Sequence, residues 1–183
     1  MRSNSRPINR RTLFLSAAFA AFGVFSPFAA DSSPNVYAAG VPSETRQKSP
    51  EQAAALQYAD RLDEITSYAN KAAEAFNAFK TVSASNRKSL YVALNNVIVP
   101  SYSKFYYELK RLDPPDGELA ELHAHYLQGA ALQLQGMQLI KKSLYAADIN
   151  WTTYNQGQQK LKAGKKELTL FIEGFKAYKA ARM

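Results

Sequence analysis

The chain has 183 residues, of which 46% are hydrophobic and 21% charged, a balance that excludes disorder of the whole chain and suits one domain with a substantial core. Cysteine is absent, so disulfides, thiolate metal sites, a lipid anchor on cysteine and c-type haem attachment are excluded. Lysine and arginine number 23 against 15 acidic residues, a moderate excess that suits anionic surfaces and falls short of a nucleic-acid-binding signature.

The N-terminus has the composition of a bacterial export signal. Residues 1–12 are polar and basic, and an apolar run that is too short to span a bilayer follows from Leu13 to Phe25. The signal resembles the twin-arginine export motif, in which an arginine pair precedes a polar residue and two apolar ones, over the segment Asn9-Arg10-Arg11-Thr12-Leu13-Phe14-Leu15. Paired arginines also occur in ordinary Sec signals, so both routes stay open. Either route predicts a mature chain that is secreted or held in the cell envelope.

Two cleavage sites follow the apolar run, one after Ala29 and one after Ala38. We favour Ala38, because Val36 and Ala38 are tolerated at the two positions that a signal peptidase reads. This choice gives a signal peptide of residues 1–38 and a flexible leader of residues 39–48, which has no hydrophobic period. The folded domain is then predicted over residues 49–183.

Four helices are predicted in that domain, each from a start signal. Ser49 is the N-cap of the first helix, which runs to about Lys80, and Gln52 completes a capping box. The second runs from about Asn86 to Leu112, with a kink at Pro100. The segment Asp113-Pro114-Pro115-Asp116-Gly117 opens the third helix, which ends near Asp148, and Asn150 caps the fourth, from Trp151 to about Ala180.

The apolar faces of these helices indicate the fold class. The third helix has a face broad enough to need covering from two sides, and the fourth has a heptad seam that starts at Trp151 and includes Gly164. Short links force neighbouring helices to run in opposite directions. The sequence therefore predicts an all-α fold, an up-down-up-down antiparallel four-helix bundle after a cleaved signal peptide.

The outer face of the fourth helix is the most basic surface predicted for the mature chain. The candidate partner-binding residues there are Lys162, Lys165, Lys166 and Lys176. Tyr102 and Tyr106 near the predicted kink join them if they are exposed, because tyrosine offers apolar area with a polar tip. The partners expected for such a surface are an anionic cell-wall polymer, lipid headgroups or an acidic protein, and nucleic acid is not expected.

Three polar residues interrupt the apolar face of the third helix: His123, Tyr126 and Gln133. His123 and His125 are about 200° apart around the helix, so they cannot bind one metal together. We expect His123 to be hydrogen-bonded in the core and His125 to be exposed. The sharper alternative is that His123, Tyr126 and Gln133 line an internal pocket for a small ligand or cofactor.

No catalytic motif is present. A di-iron bundle needs Glu-x-x-His on two helices, which this chain lacks, and there is no Gly-x-Ser-x-Gly hydrolase motif. We therefore predict no enzyme activity, cofactor or metal. The preferred interpretation is a non-catalytic binding protein of the envelope or the extracellular space, and the alternative is a small-ligand or cofactor carrier with a cavity near His123.

Overall fold

Helices make up all the regular structure of residues 49–183, the part of the chain that this computed structural model describes. The predicted signal peptide (1–38) and leader (39–48) lie outside the described residues. The elements are α1 (Pro50–Asn77), α2 (Arg87–Ala93), a π-helical turn (Leu94–Ile98), α3 (Val99–Leu109), α4 (Gly117–Ser143) and α5 (Trp151–Arg182). No strand occurs within residues 49–183, so the predicted all-α class is confirmed for them.

Three helices begin at the predicted caps. At the start of α1, the Gln52 N–H donates to Ser49 Oγ and the Ser49 N–H donates to Gln52 Oε1, both at 3.2 Å, so the capping box is complete. The carboxylate of Asp116 caps α4 and the side chain of Asn150 caps α5. These starts were predictable because each depends on contacts within one helical turn.

The second predicted helix is built from α2, the π-helical turn and α3, which follow one another without a gap. Pro100 is the second residue of α3, directly after the π-helical turn. Proline has no backbone N–H to donate. In the wider turn before it, the Val99 N–H donates to the Leu94 carbonyl, five residues back, as in a π-helix. The α-helical hydrogen-bond pattern is therefore interrupted by a π-helical turn just before Pro100, the position at which the sequence predicted a kink.

The end of α4 lies earlier than predicted, at Ser143 and not near Asp148. Beyond it the chain folds back, and the Asn150 N–H donates to the Ser143 carbonyl at 2.9 Å. Trp151, predicted on the inward seam of α5, is 47% exposed, whereas Tyr154 one turn later is buried. The inward assignment of Trp151 was wrong, because this first residue of α5 stands at the bundle end, where α4 has already stopped.

The most extensive helix contact joins α4 to α5. Its residue pairs run in opposite order along the two helices: Asp116 meets Tyr178, Gly129 meets Gly164, and Gly136 meets Gly157. Helix α1 packs on α3 and the π-helical turn beside this pair. The core fills the space between them with large side chains, among which Phe76, Phe105, Phe171 and Phe175 are fully buried. All candidate side chains are held on this framework.

Candidate binding surfaces

The four predicted lysines of α5 are all exposed. The buried residues Leu161, Gly164 and Phe171 hold α5 against the rest of the bundle. Helical spacing places Lys162 and Lys166 on the far side of α5 from these residues and Lys165 and Lys176 on its flank. We call Lys162, Lys165, Lys166 and Lys176 the lysine face. Of the two acidic residues of α5, Glu173 is exposed and Glu167 contacts His125 on α4. The face therefore carries a net positive charge on a rigid helix.

The two predicted tyrosines differ in their surroundings. Tyr102 is only 2% exposed and packs against Phe105 with ring centroids 5.3 Å apart, so it is not part of any surface. Burial also raises the pKa of the Tyr102 phenol. Tyr106 is partly buried, and the Lys110 ammonium lies 5.8 Å from its ring centroid. The tyrosine exposed on α3 is Tyr107, at 62%.

His123 is a buried, hydrogen-bonded residue, as expected from the sequence. Its Nδ1 lies 2.7 Å from the hydroxyl of Tyr58 on α1, and both residues are in the core. Burial lowers the pKa of His123, with a smaller opposing effect from Asp113. Burial also raises the pKa of the Tyr58 phenol, so the bond joins a neutral hydroxyl group to a neutral imidazole. The partner of His123 is therefore a hydroxyl group of the same core.

Tyr126 and Gln133 are also buried, but they contact different groups. The Tyr126 ring stacks on Phe171, with centroids 4.2 Å apart and planes 15° apart. Gln133 Nε2 donates to the Leu161 carbonyl of α5 at 2.9 Å, while Gln133 Oε1 is buried without a hydrogen-bond partner. His123 and Gln133 are separated by about 15 Å along α4, at about 1.5 Å per residue. The three residues therefore do not converge on one small-molecule pocket.

A contact between two side chains of α4 and α5 was not predicted from the sequence. His125 was expected to be merely exposed, but its Nδ1 lies 2.7 Å from Glu167 Oε2 of α5. The two side chains are 43% and 21% exposed, respectively. The pair joins α4 to α5, and finding it from sequence would have required the register between the two helices.

A second basic and aromatic surface was also missed. It lies at the end of the bundle where α4 passes into α5, and its most exposed side chain is Tyr145, at 77%. A cleft of about 420 Å³ there is lined by Tyr91, Lys141, Lys142 and Tyr145, among others. The predicted helix reached Asp148 and so included Tyr145, which concealed the position of this tyrosine in a surface link.

The described part of the chain offers neither a metal cluster nor a membrane-spanning helix. Among residues 49–183, no three His, Cys, Asp or Glu side chains are grouped so as to hold a metal ion. Over the same residues, none of the helices combines the length and apolar character needed to cross a membrane. No protein-family model, curated protein or solved structure matches this chain. Functional inference therefore depends on the surfaces described above.

Proposed function

We propose that this chain is an exported bacterial protein without catalytic activity, which acts by binding an anionic partner in the cell envelope or outside the cell. The observation that carries the proposal is the lysine face of α5, where four lysines are exposed on one helix. The partner classes that suit it are an anionic cell-wall polymer, lipid headgroups and an acidic protein. Export is supported by the N-terminal resemblance to a twin-arginine signal.

The charge of α5 is not cancelled by its own acidic residues. Glu167 lies against His125, and Glu173 is the remaining acidic residue on this helix. Arg182 lies at the C-terminal end of α5, and its Nη2 is 2.9 Å from Glu118 Oε2 of α4. The positive charge of Arg182 is therefore paired with this carboxylate. Lys162 and Lys166, exposed on the middle turns of α5, are the residues best placed to meet an external anion.

Retention on isolated cell walls and on anionic vesicles tests the proposal. Binding should fall as salt is raised, because exposed charges are screened over about 10 Å at 0.1 M ionic strength. The variant Lys162→Gln/Lys166→Gln should bind several-fold more weakly. The variant Lys71→Gln/Lys110→Gln removes the same charge from exposed positions outside α5 and should bind nearly as the parent does. An equal loss of binding in both variants, or binding that does not change with salt concentration, would refute a specific role for the lysine face.

For the architecture, we propose an up-down-up-down antiparallel four-helix bundle that is released after its signal peptide is cleaved. The opposite order of the α4–α5 contacts supports this arrangement, as does the short link of residues 144–150. N-terminal sequencing of the exported protein tests the processing step. A first residue at Ala39 or Ala30 fits one of the two predicted sites, and an uncut chain would contradict the proposal.

The alternative function is an internal carrier of a small ligand. One observation favours it, namely that Gln133 Oε1 is buried without a partner and would accept a hydrogen bond. The wide separation of His123 and Gln133 along α4 weighs against a shared site. Native mass spectrometry of the purified protein distinguishes the two functions, because a carrier would retain a bound mass that Gln133→Met removes.

A further inference from the structure

Two segments meet at one end of the bundle and form a single surface. We call residues 80–91 and 141–151 the tip. Arg87 Nη1 donates to the Leu144 carbonyl at 2.6 Å, which joins the start of α2 to the link after α4. The Asn150 N–H donates to the Ser143 carbonyl, which closes the link on itself. The side chains of the tip are therefore presented from a fixed backbone.

Two large aromatic side chains of the tip are exposed to solvent. Tyr145, within the link of residues 144–150, is 77% exposed, and Trp151, directly after this link, is 47% exposed. The Tyr145 ring lies beside Tyr91, with centroids 6.0 Å apart, so the pair forms one wall of the cleft. Tryptophan and tyrosine are the side chains that favour the boundary between water and lipid, because each combines an apolar ring with a polar group.

The tip is also strongly basic. It contains five basic residues, Lys80, Arg87, Lys88, Lys141 and Lys142, against the single acidic residue Asp148. Lys141 and Lys142 lie in the last turn of α4 and line the cleft next to the tyrosines. Exposed rings beside basic side chains complement a surface that is anionic outside and apolar beneath.

We propose that the tip docks on a membrane surface containing anionic phospholipids. Tyr145 and Trp151 enter the headgroup layer, and Lys141 and Lys142 bind lipid phosphates at the cleft. The charge of the tip complements the anionic headgroups, and its rings complement the apolar layer below them. This inference goes beyond the proposed function, because it uses a surface other than the lysine face and assigns it one partner.

Trp151 provides the direct test, because it is the only tryptophan of the chain. The exported protein, purified after its signal peptide has been removed, is titrated with vesicles of phosphatidylcholine, with and without phosphatidylglycerol. We expect the Trp151 emission to shift to shorter wavelength only with the anionic vesicles, and brominated lipids to quench it. Binding without any change in Trp151 emission would overturn the tip inference, yet it would leave attachment through the lysine face intact.

Matched variants locate the contact. Lys141→Gln/Lys142→Gln should lower partitioning into anionic vesicles by about fivefold for each lysine removed, whereas Lys162→Gln/Lys166→Gln should leave the Trp151 emission shift in place. Tyr145→Ser should weaken binding, and Tyr107→Ser, which removes a similarly exposed ring on α3, should not. Thermal melting verifies that each variant is folded.

Two further outcomes would overturn the inference. Equal loss of binding in the Tyr145 and Tyr107 variants would show a general effect of exposed rings. Retention on isolated cell walls with no binding to either vesicle would show that the tip does not dock on lipid. In the second case the proposed function survives, so the failure of one proposal is distinguishable from the failure of the other.

Discussion

Gly129 on α4 and Gly164 on α5 face each other backbone to backbone. A Cβ atom on Gly164 would lie 2.8 Å from the Gly129 carbonyl oxygen, and a Cβ on Gly129 would lie 3.0 Å from the Gly164 carbonyl oxygen. Gly136 and Gly157 repeat this relationship, with both distances at 2.9 Å. Each added Cβ would meet a backbone carbonyl oxygen of the opposite helix, and a carbonyl cannot move aside as a flexible side chain can, so α4 and α5 approach as closely as glycine alone allows.

Gly164→Ala should therefore destabilise the fold. Alanine gains about 1 kcal/mol of helix propensity over glycine. The clash with the Gly129 carbonyl forces the helices apart, and overpacking of this kind costs about 1–3 kcal/mol. We expect a lower midpoint in urea unfolding. Gly117→Ala is the control, because a Cβ there meets nothing within 4 Å, and it should be neutral or stabilising. A higher midpoint for Gly164→Ala would contradict the close contact.

This contact shows what the sequence could and could not predict about the fold. The heptad seam of α5 correctly indicated close packing at Gly164, because a glycine on the apolar face of a helix lets the neighbouring helix come near. The seam did not include Gly157, which is buried against Gly136. Helix starts were predictable from local caps. The end of α4 was not, because it depends on the chain folding back over Ser143.

The candidate sites show the same division between local and tertiary information. Lysines on the polar side of α5 were correctly expected to be exposed, because helical periodicity alone places them there. Tyr102 and Tyr107 belong to one aromatic helix, and only the packing of α3 against the other helices decides that Tyr102 is buried and Tyr107 exposed. His125 needed the register of α5 before its partner Glu167 could be named.

The buried imidazole of His123 predicts a pH dependence of stability. Burial lowers its pKa below the ordinary value of 6.5, so the unfolded chain takes up a proton more readily than the folded one. The contribution to stability is complete above pH 6.5 and is lost as pH falls from there to the lowered pKa. We expect the urea midpoint to decrease over that interval.

Two variants assign this dependence to one residue. His123→Gln should flatten the stability profile in the same pH interval, although it lowers stability overall by disturbing the bond to Tyr58. His125→Gln removes the other histidine, which is partly exposed beside Glu167, and should retain the downward slope. A flat profile in the parent protein, or equal slopes in both variants, would contradict the assignment.

Gln133→Met should cost little or raise the stability. The substitution loses the bond from Gln133 Nε2 to the Leu161 carbonyl, worth about 1 kcal/mol. It also removes the unpartnered Oε1, whose burial costs about 1–3 kcal/mol. Methionine keeps the length of the side chain and fills the same space. Gln138→Met on the exposed side of α4 is the control for helix propensity. A loss above about 2 kcal/mol in urea unfolding would show that Oε1 has a partner in solution.

The carboxylate of Asp116 should stabilise the start of α4 through two hydrogen bonds. Its Oδ1 accepts from the Leu119 N–H at 2.7 Å, and its Oδ2 accepts from the Tyr178 hydroxyl at 2.6 Å. Asp116→Ala removes both, and loss of a cap costs about 0.5–2 kcal/mol. Asp116→Asn keeps a capping oxygen, so its urea midpoint should lie between those of the parent and the alanine variant. Asp148→Ala, an exposed acid in the link before α5, should change little.

The same carboxylate also predicts how acid affects the fold. The bonds from Tyr178 and from the Leu119 N–H lower the pKa of Asp116 below its ordinary value of 3.8. Its contribution is therefore present above pH 3.8 and is lost as pH falls through the lowered pKa, an interval separate from that of His123. The Asp116→Asn variant should lack this loss of stability in acid, and it should keep the loss of stability that comes from protonation of His123. A parent and an Asp116→Asn variant that lose stability in parallel below pH 3.8 would show that the carboxylate does not stabilise the start of α4 through its charge.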